Sequence, residues 1–165
     1  MLRKIATLAG VALIVSTIGI PSASAATYTC NDKPATIVGT SGSDDIAGTS
    51  GPDVIVSLAG NDVVRSAGGD DTVCTGKGND QIYTAAGNDE LFGGPNADVL
   101  TGGRGSDYEQ GQAGQDSFNG QRGNDTLYAV DGEADSLVAG GGLFDICYVD
   151  AALDSYGTDC EQVNG

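Results

Sequence analysis

The sequence contains no histidine and no CxxC pair. These two absences exclude histidine-dependent catalytic triads and the usual His/Cys zinc sites. Positive charge is also scarce, since seven Lys and Arg residues face 23 Asp and Glu residues, a formal net charge of −16. Nucleic-acid binding is therefore disfavoured, because a phosphate backbone repels such a chain. What the sequence has instead is glycine, with 27 residues, and many aspartates.

Residues 1–25 read as a secretory signal peptide. Arg3 and Lys4 supply the positive start, Ile5–Ile20 the apolar region, and 23–25 the small-residue cleavage motif before Ala26. The alternative is a membrane anchor, but an apolar stretch of about 16 residues is short for a bilayer span. We therefore expect export, cleavage, and a mature secreted chain with no membrane attachment. Its net charge becomes −18, from 23 acidic residues against five basic ones.

An aspartate occurs at every ninth residue, ten times in succession. A fixed short period is typical of a solenoid, in which each repeat stacks on its neighbours. The aspartates of this series are Asp44, Asp53, Asp62, Asp71, Asp80, Asp89, Asp98, Asp107, Asp116 and Asp125.

Alignment on these aspartates gives ten ungapped nonapeptide frames, from 39–47 to 120–128, with the aspartate at position six. Position one is always small, and position four is glycine in nine frames and Asn96 in the tenth. Position eight is apolar in nine frames, with Glu109 as the exception. This pattern predicts six turn residues followed by a three-residue strand that points one side chain inward.

Two frames per coil would form a short strand on each face and a turn at each edge. The aspartates then fall into two edge ladders, one starting at Asp44 and the other at Asp53. Carboxylates about 5 Å apart repel by roughly 3 kcal/mol at an effective dielectric near 20. A hard divalent cation between the turns would cancel that repulsion, and irregular all-oxygen sites suit Ca²⁺ better than Mg²⁺.

The frames resemble the G-G-x-G-x-D-x-U-x nonapeptide of RTX (hemolysin-type) calcium-binding proteins. The resemblance covers residues 39–128, and ten tandem frames make it specific. It implies an all-β fold, a right-handed parallel β-roll (β-solenoid) of about five coils with degenerate caps. It also implies Ca²⁺ in the turns between coils, with the ten aspartates as side-chain ligands and turn carbonyls as further ligands. Five coils leave room for up to about eight ions.

The chain departs from the repeat in three places. An unpaired buried carboxylate is costly, so Glu109 predicts a loosened coil near 105–112 with doubtful sites. Residues 26–38 form an N-terminal cap, in which Ile37 continues the strand phase without an aspartate. Residues 129–165 contain degenerate repeats, with Asp135 and Asp145 as weaker ligand candidates, and a disulfide-stapled C-terminal cap.

Four cysteines remain after signal removal, an even number that suits an oxidising compartment. Three connectivities are possible. Cys147 with Cys160 is the local pairing, which leaves Cys30 with Cys74. The second bridge requires residues 27–35 to leave the coil and fold back over it, because a simple backward extension places Cys30 at the opposite edge.

The leading functional hypothesis is a secreted, non-catalytic protein that binds calcium ions and folds on binding them. A calcium-stiffened cell-surface or matrix interaction protein, similar to an adhesin, is the alternative. An enzyme is disfavoured, because about 13 mature residues before the array and 37 after it are too few for a catalytic domain. We expect a monomer and can name no protein partner.

Overall fold

The computed structural model describes residues 4–5, 27–142, 144–150 and 152–164. Eighteen short strands make up its regular structure, and the described residues contain no helix. The strands are β1 (Lys4–Ile5), β2 (Thr29–Cys30), β3 (Lys33–Pro34), β4 (Ile37–Val38), β5 (Asp45–Ala47), β6 (Val54–Val56), β7 (Val63–Arg65), β8 (Thr72–Cys74), β9 (Gln81–Ala86), β10 (Glu90–Pro95), β11 (Val99–Arg104), β12 (Tyr108–Ala113), β13 (Ser117–Arg122), β14 (Thr126–Ala129), β15 (Ser136–Val138), β16 (Ile146–Val149), β17 (Ser155–Tyr156) and β18 (Gln162–Asn164).

Successive frames alternate between two parallel eight-stranded sheets. One sheet has the order β1-β5-β7-β9-β11-β13-β15-β17, and the other β18-β16-β14-β12-β10-β8-β6-β4. Each strand pairs with the strand two frames away, as in the register of Ile46 with Val64 and of Val64 with Ile82. The predicted all-β parallel β-roll with two nonapeptides per coil is therefore confirmed, and the coils number about seven.

The position-eight side chains form one apolar column beneath each sheet. Within the repeats these side chains are almost completely buried, as are Ile37 before them and Leu137 after them. Burial of one such side chain contributes about 1.5 to 3 kcal/mol. A single coil cannot bury its side chains alone, whereas stacked coils bury them against one another. The columns are Ile46, Val64, Ile82, Leu100, Phe118 and Leu137 on one side, and Ile37, Ile55, Val73, Leu91, Glu109, Leu127 and Cys147 on the other.

Glu109 lies inside this second column, and the predicted loosening of residues 105–112 is wrong. Its strand pairs regularly on both sides, with Glu109 opposite Leu91 and Leu127. The side chain is fully buried, and its Oε1 accepts a hydrogen bond from the Gly102 amide at 2.8 Å. Burial raises the pKa of this carboxyl well above its ordinary value, with nearby Asp107 adding to the effect. A neutral carboxylic acid with one satisfied oxygen is far cheaper to bury than a carboxylate, so the coil stays closed.

The N-terminal cap leaves the coil, as the second disulfide requires. β2 and β3 form an antiparallel hairpin, and its turn residues Asn31 and Asp32 both have positive φ, as a two-residue type I′ turn demands. The hairpin lies against the outer face of the second sheet, where Cys30 is bonded to Cys74 with a Cα–Cα distance of 5.7 Å. Lys33 adds an ion pair with Glu90 at 2.9 Å.

The degenerate C-terminal segment continues the coil. β15 pairs with β13, and β16 pairs with β14, so Leu137 and Cys147 enter the two apolar columns. Cys147 is bonded to Cys160, which ties the last turn to the core. Both disulfides expected from the cysteine count are thus present.

Within the predicted signal peptide, Lys4 and Ile5 form β1, which pairs in parallel with β5 at the first edge of its sheet. The rest of residues 1–25 lies outside the described residues. In the part of the chain that the structure describes, no helix has the length and hydrophobicity that crossing a bilayer requires.

Removal of the Cys30–Cys74 bridge is expected to cost more stability than removal of Cys147–Cys160. The bridged cysteines are separated by 44 and 13 residues respectively. In the chain-entropy account these loops correspond to about 4 and about 3 kcal/mol. Urea unfolding of the paired serine variants C30S/C74S and C147S/C160S, in calcium, checks this order. The reverse order would show that the C-terminal bridge contributes more to the free energy of unfolding than the bridge of the N-terminal hairpin.

Candidate metal sites

Ten aspartates stand at the last turn position before each strand of the repeats, and every one of them is buried. Their side chains are between 1% and 6% exposed. They divide between the two edges of the roll, since frames alternate between the sheets. Aspartates 18 residues apart therefore stack on one another, in two ladders that start at Asp44 and at Asp53.

One carboxylate oxygen of each stacked aspartate accepts a backbone hydrogen bond from the coil before it. Oδ1 of Asp98 accepts the backbone N–H of Asp80 at 2.8 Å, and Oδ1 of Asp116 accepts that of Asp98 at 2.8 Å. The same bond occurs along both ladders and continues into the degenerate coils, where Asp135 and Asp145 accept from Asp116 and Asp125. The aspartates are thus backbone acceptors first, which explains their strict phase.

The second oxygen, Oδ2, is buried without a hydrogen-bond partner in most of the series. A buried acceptor without a donor lowers the stability of the fold, and a charged acceptor lowers it more. This unsatisfied oxygen belongs to Asp62, Asp71, Asp80, Asp89, Asp98, Asp107, Asp116 and Asp125 of the repeats, and to Asp135 and Asp145 beyond them. These oxygens require a cation or a proton.

Where a turn has glycine at position one or position four, the space around these oxygens leaves no room for a side chain. A Cβ on Gly93 or Gly102, at position one, would collide with Oδ2 of the aspartate in the same frame. A Cβ on Gly78 or Gly105, at position four, would collide with the position-four carbonyl oxygen of the coil before it. Glycine at position one therefore lets the carboxylate lie close to the backbone of its own turn, and glycine at position four lets successive turns stack closely.

The electrostatics of the ladders oppose ionisation. Burial, with a smaller contribution from the stacked aspartates on either side, raises the pKa of Asp98 to about 8 and that of Asp107 to about 7. Burial likewise raises the pKa of Asp71, Asp116 and Asp125 to about 6 and that of Asp135 to about 7. The pKa values of Asp80 and Asp89 also move upward from the same cause. Unneutralised carboxylates at these positions destabilise the roll near neutral pH.

A calcium ion fits this chemistry. Across the described residues no three acidic, histidine or cysteine side chains converge on one point. An ion held here would take backbone carbonyls as well, and the unpartnered Oδ2 atoms and the closely stacked turn carbonyls supply both kinds of oxygen. Mixed carboxylate and carbonyl coordination with irregular geometry suits Ca²⁺.

A comparison with protein families agrees with this geometry. The profile described as RTX calcium-binding nonapeptide repeat (4 copies) matches residues 38–73, 75–109 and 110–133, which is more than half of the chain. The chain belongs to the RTX calcium-binding nonapeptide repeat family. It is accordingly a calcium-binding β-roll. A comparison with curated proteins gave no match.

The first two RTX frames differ from the others. Oδ2 of Asp44 accepts the Thr40 amide at 2.6 Å and the Thr40 hydroxyl at 2.9 Å. Oδ2 of Asp53 accepts the same pair of groups from Thr49, at 2.7 and 2.9 Å. Sequence reasoning did not single out these threonines, although position two is a threonine only in these two frames.

The position-one hydroxyls are a second feature that sequence reasoning missed. Ser57, Thr75 and Thr84 are buried, and each donates to the position-one carbonyl of the next coil at 2.7 Å. The requirement for a small residue at position one was visible in the sequence, but the use of its hydroxyl was not.

Proposed function

We propose that this protein is a secreted, non-catalytic RTX protein that takes up calcium ions in the turns between its coils and becomes ordered as it does so. The observation that carries the proposal is the set of buried Oδ2 atoms that have no hydrogen-bond partner along both edges of the roll. Without cations the stacked carboxylates destabilise the coil, and with cations they join neighbouring coils.

Asp62, Asp80, Asp98 and Asp116 on one edge would provide carboxylate oxygens to such ions. Asp71, Asp89, Asp107 and Asp125 would do so on the other edge. The carbonyl oxygens of position four, which press on the next turn, would complete the coordination. About eight ions is the upper limit that five regular coils can hold. Because each ion would touch two coils, uptake should be cooperative.

Three features support export and a role without catalysis. The N-terminal stretch has the composition of a signal peptide, and both disulfides suit an oxidising exterior. Extracellular calcium modules bind in the range of about 10⁻⁴ to 10⁻³ M, so an exterior rich in calcium would load the roll after export. The buried carboxylates are accounted for as ligands, and no histidine is available for general acid–base work.

Far-UV circular dichroism of residues 26–165 tests the proposal. We expect little β-signal in chelator and a cooperative gain of β-signal as CaCl₂ is raised through the millimolar range at pH 7.5. Stacked, unneutralised carboxylates oppose the coil until ions enter it.

Magnesium chloride at the same ionic strength is the control. Mg²⁺ requires a tighter octahedron and gives up its water reluctantly, so it should produce little of the effect. If the β-signal is already complete in chelator, or magnesium restores it equally well, folding is not coupled to calcium.

A further inference from the structure

The first coil of the roll, residues 39–56, is built differently from the coils that follow it. In the eight later frames the position-two residue has positive φ, between 71° and 116°. Thr40 and Thr49, at position two of the first two frames, do not adopt this conformation. The position-four glycines Gly42 and Gly51 also lack the positive φ found at position four in all the later frames. These two turns therefore follow another backbone path.

The threonine hydroxyls fill the inside of these two turns. Thr40 Oγ1 lies 2.9 Å from Asp44 Oδ2 and 3.2 Å from the Gly42 carbonyl oxygen, and it accepts the Gly42 amide at 3.2 Å. Thr49 repeats this arrangement with Asp53 and Gly51, at 2.9, 3.1 and 3.2 Å. A hydroxyl that receives an N–H two residues on is a local turn motif that needs no metal.

This arrangement does not fit a calcium ion. A Ca²⁺ ion needs bare oxygens at about 2.3 to 2.6 Å, and here the carboxylate and the position-four carbonyl already face a hydroxyl. The threonine amide and hydroxyl both lie within hydrogen-bond distance of the Oδ2 that would have to bind the ion. In the later frames that oxygen has no partner at all.

We propose that Thr40 and Thr49 replace calcium in the first coil, so that Asp44 and Asp53 are structural acceptors and the ion-binding series begins at Asp62 and Asp71. The first coil is then a metal-free end plate on which the calcium-dependent coils stack. This inference rests on the proposed function, because it divides the aspartates of an array that is taken to bind calcium.

Calcium content at saturation tests the division. Two double variants of the full chain are compared, D44N/D53N in the first coil and D62N/D71N in the second. Each removes one carboxylate from each edge ladder, so the charge change and the positions in the frame are matched. We expect D44N/D53N to hold as many ions per chain as the unmodified protein after equilibrium dialysis against CaCl₂, and D62N/D71N to hold about two fewer.

The possible results separate the two proposals. If D44N/D53N loses as many ions as D62N/D71N, the metal-free first coil is wrong, and the calcium-binding function stands. If the unmodified chain holds no calcium, the proposed function itself fails.

Because D44N/D53N removes the acceptors of four hydrogen bonds, it could fail to fold, and the unmodified chain provides a second measurement. Crystals grown in saturating CaCl₂ are examined for anomalous scattering at long wavelength. We expect calcium peaks beside Asp62 and Asp71 and none in contact with Oδ2 of Asp44 or Asp53. A calcium peak on either of those two oxygens would overturn the proposal.

Discussion

The variant D98N is expected to have opposite effects without and with calcium. Oδ1 of an asparagine can still accept the Asp80 amide, so the ladder bond of 2.8 Å is kept. The unpartnered Oδ2 becomes an amide nitrogen that cannot bind a cation. In chelator the variant should show more β-structure than the unmodified chain, and in a calcium titration its midpoint should rise at least about tenfold, which corresponds to about 1.4 kcal/mol.

The sign of the first effect follows from the pKa of Asp98, which is about 8 in the folded chain against an ordinary 3.8. Stability that depends on a proton at this site is fully present below pH 3.8 and is lost as the pH rises towards 8. At about 1.4 kcal/mol per pKa unit, the loss at pH 7.5 is on the order of several kcal/mol, and asparagine avoids it. In chelator the advantage of D98N should therefore shrink as the pH falls to 4.

The matched control is D70N, which removes the same charge one position earlier in a turn. Asp70 is exposed, and asparagine already stands at this position in four other frames. Circular dichroism of D70N should differ little from that of the unmodified chain in chelator and in calcium. If D98N behaves like D70N in the calcium titration, Oδ2 of Asp98 is not a ligand.

The variant E109Q is expected to stabilise the roll by an amount that grows with pH. Glutamine fits the space of Glu109 and can still accept the Gly102 amide through its carbonyl oxygen. The raised pKa of Glu109 gives stability that is complete below pH 4.5 and declines as the pH rises. The gain from E109Q should thus be small at pH 5 and clearly larger at pH 8.

Urea unfolding of both chains in saturating calcium, at pH 5 and pH 8, measures this difference. E161Q is the control, because Glu161 is exposed and its substitution should change stability little at either pH. A gain for E109Q that is the same at both pH values would mean that Glu109 does not carry a proton in the folded core.

The nine-residue period was enough to predict the roll, its two sheets and the stacking of the aspartates, because each frame repeats the same inward side chain. The sequence could not show which carboxylate oxygen would be used for which purpose. The bond from the Asp80 amide to Asp98 spans 18 residues and depends on the register of completed coils. Only the structure shows that Oδ1 accepts a backbone amide and that Oδ2 has no hydrogen-bond partner.

The error at Glu109 has a related physical cause. The sequence shows a carboxyl in an apolar column, but it does not show the Gly102 amide that donates to its Oε1. Thr40 and Thr49 escaped notice for another reason. Threonine is an ordinary small turn residue, and its consequence becomes visible only in the backbone path of the turn that it closes.

The ladder bonds also give the array a direction. Within the regular coils each aspartate amide donates to a carboxylate that comes 18 residues later, while the amide of the following residue donates to the carbonyl of the aspartate one coil earlier, as Val63 does to Asp44. A chain cut short at its C-terminal end exposes unsatisfied N–H groups inside the turns of its new last coil. A chain that has lost its first coil frees carboxylate oxygens and also strand amides, such as those of Val63 and Thr72 that donate to the carbonyls of Asp44 and Asp53. The two ends of the stack therefore leave different groups unpaired, turn amides at the C-terminal end and carboxylate oxygens with strand amides at the N-terminal end.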